Sequence, residues 1–424
     1  KIVLSGIEFR RPLTALLIKF LLGLDLICLA GLLFGGKIDS IFLILLILLS
    51  ALSWTLRSKN PSKWNFSSLF NLSLLPLLIV AILIMGRAFC PPTGLDELVY
   101  QLAVPLRWLE GRGTEIFPDN PYSAFPSLSG MAFRILIANG GLLSPRIFVF
   151  LLWAATCLAL YSVISPGSSK IAKIAIMTAF SASFPVLMAG SSAYSEFFIA
   201  ANFAGALVLA FEKKSFERKN GIICLALICG ILAGAAASVK MTGLVVIPSV
   251  CLLLLYPALP KWRNWAVSFV FFAAAGFFSA VFYLRPYLLT GNPFYPYFAP
   301  LFTGEKSLIE MSAYHHAAGS LKYGLGGISE FLLSPVLLCF VSDFFDGYLG
   351  FQFFPILVVA IVLFIKKFKD KDFFSFRFQC LFVSLLLYCF WYISSRQSRF
   401  LIPCALALAI AAAPLRRWAE IMKR

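Results

Sequence analysis

Residues 221–239 read GIICLALICGILAGAAASV, a run without one charged side chain. As an α-helix rising about 1.5 Å per residue it reaches about 28 Å, close to the hydrocarbon thickness of a bilayer. Similar runs recur at 12–34, 39–56, 68–86, 146–164, 171–189, 197–211, 244–259, 264–284, 349–366, 373–393 and 400–415. The whole chain of 424 residues is 60% hydrophobic and only 13% charged, whereas a soluble domain is about half apolar and about a quarter charged. The apolar excess arrives in separate span-length pieces. That excludes a soluble enzyme, a DNA-binding module and a disordered chain. The expected fold is an all-α polytopic membrane protein with about twelve transmembrane helices.

The net charge of +17 does not point to nucleic acid. Its basic residues sit in short connections rather than on one face with interleaved aromatics. One alternate set of connections holds most of them: Lys1/Arg10/Arg11, Arg57/Lys59/Lys63, Lys170/Lys173, Lys213/Lys214/Arg218/Lys219, Lys261/Arg263, Lys366 to Arg377, and Arg416/Arg417/Lys423/Arg424. By the positive-inside rule this side is cytoplasmic, and both termini lie there. Two large external loops follow, 87–145 and 285–348. They are set in a single domain, 1–424, that carries extra N-terminal spans in 1–86. Ser127–Leu143, with Arg134 and Gly140-Gly141, and Phe331–Val341, with Pro335, are too short to span and read as interfacial or re-entrant helices. The ten Cys show no metal-site spacing and lie mostly in apolar runs, so neither a metal cluster nor a disulfide is expected. Leu13 to Phe34 reads as a retained span, not a cleaved leader.

The first large loop holds Pro91-Pro92-Thr93-Gly94-Leu95-Asp96-Glu97-Leu98-Val99-Tyr100-Gln101, then Pro105, Gly111 and Phe125-Pro126. Asp96 follows a Pro/Gly turn and opens an amphipathic stretch. It suits two roles: a helix N-cap accepting first-turn amides, or a general base just above the membrane. Glu97 reads as a solvated first-turn acid. Glu196 precedes a span, where it could cap a helix, orient an acceptor or help hold a divalent cation. Asp25 lies inside the first apolar run and reads as half of a structural pair with a neighbouring helix. His315-His316, the two histidines of the chain, read as loop surface. Gly230 to Ala237 forms a small-residue face for close helix packing.

These residues resemble the first external loop of the GT-C superfamily of integral-membrane glycosyltransferases. The similar branch groups bacterial protein mannosyltransferases with lipid A aminoarabinose transferases. That pattern has an Asp after a span, then Tyr-His-Leu, a Pro, a Gly and Phe-Pro; here Gln101 stands where the His is frequent. Ala193-Tyr194-Ser195-Glu196, Lys240-Met241-Thr242-Gly243, Gly291-Asn292-Pro293-Phe294-Tyr295-Pro296 and Gln397-Ser398-Arg399-Phe400-Leu401-Ile402-Pro403 resemble later segments of the family, in the same order.

The resemblance implies an inverting transferase of the bacterial inner membrane, working on its external face. It would move a sugar from a polyprenyl-phosphate donor to a lipid, glycan or protein acceptor, with Asp96 as general base and Glu196 beside it. Lys240, Arg285, Arg396 and Arg399 are expected at external span edges, where cations suit a leaving phosphate or merely anchor at the interface. Tyr100, Gln101 and Tyr295 are the candidate substrate-binding residues. No cofactor is implied with certainty, and a divalent cation is left open. Two other readings compete: an O-antigen ligase or polymerase, and a non-catalytic membrane-complex subunit that retains the fold. A transporter ranks lower, because charged residues deep in several spans and related halves are missing.

Overall fold

The computed structural model describes residues 12–33, 74–111, 113–117, 119–164, 168–213, 221–254, 261–307, 309–310, 312–313, 327–341 and 345–413. The expected span at 39–56, His315-His316 and much of the cationic connections lie outside these residues. In chain order the helices are α1 Pro12–Leu33, α2 Leu75–Ala88, α3 Ala103–Gly111, α4 Leu128–Gly140, α5 Ser144–Val163, α6 Lys170–Ser181, α7 Phe184–Gly190 and α8 Glu196–Phe211. They continue with α9 Gly221–Val239, α10 Val246–Leu254, α11 Lys261–Thr290, α12 Ala299–Phe302, α13 Ile328–Phe340, α14 Phe353–Lys369, α15 Phe376–Ser394 and α16 Ile402–Ala412. No strand occurs among the described residues, only one isolated bridge between Phe117 and Asn120. The molecule is nearly all helical, as composition predicts.

Five helices among the described residues are long and apolar enough to cross a membrane: Thr14–Leu33, Ser144–Val163, Gly221–Val239, Trp262–Thr290 and Phe376–Ser394. The expected span 171–189 is instead two helices, Lys170–Ser181 and Phe184–Gly190, bent by 73°. Counted as one broken span they make six. Pro185 at the start of α7 explains the break, since it lacks the amide that would continue the ladder of α6. The expected span at 264–284 extends to Thr290, carrying Arg285 inside α11 with Pro286.

Helix α8 is the centre of the bundle. Every residue from Glu196 to Ala210 is buried, and α5, α9, α1 and α16 pack around it. Its Ala and Gly positions permit this close wrapping, as small residues do in helix pairs that lack a water-driven hydrophobic force. Helix α9 lies most closely on α11. A methyl built on Gly230 would sit 2.5 Å from the Phe271 carbonyl, and one on Gly234 2.6 Å from that of Ala275. The small-residue face of 230–237 is thus a packing face. The opposite side of α11 exposes Trp262, Trp265, Phe269, Phe277 and Leu288, a surface suited to lipid. Asp25 is fully buried and accepts a hydrogen bond from Asn202 of α8 at 3.2 Å, the interhelical pair its depth predicts.

Candidate functional site

The loop 89–127 is folded onto the bundle rather than extended from it. Its first turn, Glu97–Gln101, is a wide π-helical turn that runs into α3. Asp96 enters this turn with helical backbone and makes no side-chain cap, so the N-cap reading is not the one observed. Its Oδ2 accepts instead from Tyr100 Oη at 3.0 Å and from Arg399 Nη2 at 2.5 Å. The wide turn sets Asp96 and Tyr100 on one side while Glu97 and Gln101 are buried on the other. A residue separation of 303 in the Asp96–Arg399 contact shows how far apart in sequence the two halves of the site lie.

Arg399 sits in a short 3₁₀ turn, Ser398–Leu401, just ahead of α16. The Pro at its helical start fixes where α16 begins and leaves the preceding turn free to carry the guanidinium. Gln397 Oε1 accepts from Arg399 Nε at 3.0 Å and Nη2 at 2.6 Å, orienting the planar fork. Tyr194 and Phe400 lie against it, with ring centroids 5.0 and 5.3 Å from the guanidinium carbon. Arg399 Nη1 and Asp96 Oδ1 take no part in these contacts.

The second carboxylate arrives on the first turn of α8. Glu196 Oε1 accepts from Lys240 Nζ at 2.6 Å, and Arg399 Nε lies 3.7 Å away. Lys240 is the extended residue between α9 and a 3₁₀ turn over Met241–Gly243, and its ammonium rests 4.1 Å from the Phe400 ring centre. Glu196 Oε2 is buried without a hydrogen-bond partner. Burial pushes the Glu196 carboxyl up, but attraction to Lys240 and Arg399 outweighs it and holds the group below the ordinary carboxylate range. Burial brings Lys240 below the usual lysine range despite Glu196. For Arg399 burial acts downward, and Glu196 and Asp96 more than reverse it. Burial, with Asp96 close by, raises the Tyr100 hydroxyl well above the phenol range; burial raises Tyr194 to about 12. Two acids and two bases therefore converge from four segments of the chain into a compact, charge-balanced cluster.

Of the residues singled out in sequence, Asp96, Tyr100, Glu196, Lys240 and Arg399 meet here. Gln101 lines the edge, donating to Ser195 Oγ at 3.1 Å, and shares a small cavity with Tyr100, Ser195 and Lys240. Arg285 is elsewhere. Its guanidinium donates to the carbonyls of Thr114, Glu115 and Ser123 at 2.8, 3.1 and 2.8 Å, with Phe125 at 3.4 Å, and stacks on Trp108. It fastens the first loop to the end of α11. Arg396 pairs with Glu330 of α13 at 3.1 Å and covers the Tyr392 ring. Tyr295 is buried within the turn after α11, where Asn292 closes the backbone through Phe294 N–H and the Tyr297 carbonyl, both at 2.8 Å. Tyr297 stacks on Phe125, joining the two large loops.

Glu97 corrects its sequence reading. It is not a solvated acid but fully buried, ion-paired with Arg146 at 3.0 Å. Tyr194, Gln397 and Phe400 also belong to the cluster without having been assigned to it; all three lie inside the quoted motif segments. Arg146 carries no local signal. Among the described residues no group of three His, Cys, Asp or Glu side chains comes together as a metal set. No protein-family model, curated protein or solved structure matches the chain.

Proposed function

We propose that the chain is a GT-C-like membrane glycosyltransferase that moves a sugar from a polyprenyl-phosphate to an acceptor outside the cytoplasm, with inversion. The observation that carries this reading is the convergence of Asp96 from an early loop with Glu196, Lys240 and Arg399 from later segments. The acceptor hydroxyl gives its proton to Asp96 Oδ1 while its oxygen bonds to the anomeric carbon. The carbon–oxygen bond to the phosphate breaks, and the electron pair leaves with the polyprenyl phosphate. Lys240 and Arg399 Nη1 then balance the negative charge that grows on the phosphate. In this reading Arg399 shifts part of its attention from Asp96 to the donor, which frees the base as the donor arrives.

An apolar cavity of about 350 Å³ supports the same proposal. It runs among α13, α14, α15 and α16, lined by Pro335, Phe353, Phe364, Tyr388, Leu401 and Leu408. Leu401 lies two positions after Arg399, so an isoprenoid chain could leave the headgroup along it. The proposal includes about twelve spans, both termini in the cytoplasm, and the cluster at the external edge, following the charge asymmetry. The chain reconstituted in nanodiscs and offered polyprenyl-phosphate hexoses, pentoses and aminosugars should transfer at least one of them. Asp96→Asn should abolish transfer while leaving insertion and thermal unfolding near wild type; retained turnover refutes Asp96 as base.

A second reading has one observation in its favour: the four charges of the cluster already pair among themselves. A non-catalytic subunit keeping the fold would behave so, and would turn over neither monophosphate- nor diphosphate-linked donors. Turnover of the diphosphate-linked donor alone would instead favour a ligase or polymerase.

A further inference from the structure

The acid next in sequence to Asp96 does work that the transfer chemistry leaves unassigned. Glu97 and Arg146 form an ion pair at 3.0 Å with side chains 1% and 2% exposed. Glu97 Oε1 also accepts from the Ala193 amide at 2.7 Å, and Oε2 lies 3.4 Å from the Gly94 amide. One carboxylate thus ties the approach to Asp96, the turn leading into Glu196, and the first turn of α5. Four residues on, Gln101 bonds Ser195, the residue before Glu196. The two segments approach closely, since a methyl on Gly94 would lie 2.6 Å from the Tyr194 hydroxyl. A buried ion pair often adds little net stability over apolar side chains of similar size. Its value here is geometric.

We infer that Glu97 is a positioning residue: held by Arg146, it clamps the π-helical turn to the 193–196 turn and so holds Asp96 against Arg399 and beside Glu196. The inference rests on the reading of Asp96 as base, and it concerns how that base is held. The titratable and charged groups facing Asp96 are Tyr100, Arg399, Tyr194, Glu196, Lys240 and Tyr297, with Glu97 behind it. Among the described residues only Arg399 makes an ion pair with it.

The test needs no turnover. A water-soluble carbodiimide adds to a protonated carboxyl and leaves a stable acylurea, which peptide mass spectrometry locates. The charge-balanced double variant E97L/R146M removes the clamp without stranding a buried charge. If the clamp holds Asp96 on Arg399, its loss frees the Asp96 carboxyl from that contact and opens it to the reagent. Labelling of Asp96 at fixed pH should then rise at least about tenfold, the factor that corresponds to about 1.4 kcal/mol of lost local protection. E97Q/R146M, which keeps an acceptor for the Ala193 amide but loses the hold of Arg146, should label at a rate between the wild type and E97L/R146M. An unchanged rate in E97L/R146M with a lowered unfolding temperature overturns the inference, leaving Glu97 merely structural. Should both variants fail to fold, the unaltered protein decides: the Ala193 amide should exchange as slowly as those of α8, and fast exchange overturns the clamp. Turnover by Asp96→Asn would end the transferase reading without touching these labelling results, so the two failures are distinguishable.

Discussion

Replacing Lys240 by Met should destabilise the protein far more than replacing Lys240 and Glu196 together. The Nζ–Oε1 separation is 2.6 Å and the side chains are 9% and 4% exposed. At an effective dielectric of about 20 that separation corresponds to a gross attraction of about 6 kcal/mol, much of it offset by desolvation of both groups. Lys240→Met leaves a buried carboxylate whose Oε2 already has no partner, with only Arg399 Nε at 3.7 Å to compensate. Breaking such a pair from one side costs about 3–5 kcal/mol. The K240M/E196Q double variant strands no charge and should stay within about 1 kcal/mol of wild type, giving a coupling of about 3 kcal/mol or more. In nanodiscs of fixed lipid, thermal unfolding should fall by several degrees for the single variant and little for the double. A single variant that unfolds within a degree of wild type, or a double variant equal to the sum of two large losses, would refute the buried pair.

The same cluster fixes a pH dependence. Glu196 is held below its unfolded value of about 4.3, so its contribution is complete above that value and is lost as pH falls through the folded value. The stability gap between wild type and K240M/E196Q should be flat from about pH 5 to about pH 7, below the range where Lys240 titrates, and shift progressively against the wild type at lower pH. Arg285→Ala removes the donors to four backbone carbonyls and should cost about 1–3 kcal/mol. The segment 113–125 should become sensitive to protease, and Arg285→Lys, lacking the fork, should recover only part of its protection. Gly230→Val must push α9 off the Phe271 carbonyl and the Ala274 methyl and should cost about 1–3 kcal/mol, measurable by thermal unfolding; a neutral result would refute the tight α9–α11 contact.

Much of the architecture is legible in the chain because the bilayer imposes length and apolarity on each span. The run at 221–239 reappears as Gly221–Val239 and its glycines as the packing face on α11. Local backbone chemistry overrides span length in two places: Pro185 divides the expected span 171–189, and α11 outruns its expected end by a turn and a half. Asp96, Glu196, Lys240 and Arg399, each from a different quoted segment, come together in space. The basic residues nevertheless divide by partners that sequence does not name. Arg399 and Arg396 are near neighbours, yet one turns to Asp96 and the other to Glu330. Arg285 finds backbone carbonyls and the Trp108 ring. Glu97 departs from its sequence reading for the same reason, because its burial is matched by Arg146, which is remote in sequence.

The proposed transfer requires one phosphate to lie between the cationic side chains and the acid of the first loop. Binding of undecaprenyl phosphate against undecaprenol, measured on the purified chain by native mass spectrometry, tests this most directly. The phosphate should be preferred at least about tenfold, an advantage of about 1.4 kcal/mol, and Arg399→Gln should erase the preference. Equal binding of the two lipids by the unaltered protein, or an undiminished preference in Arg399→Gln, would contradict it.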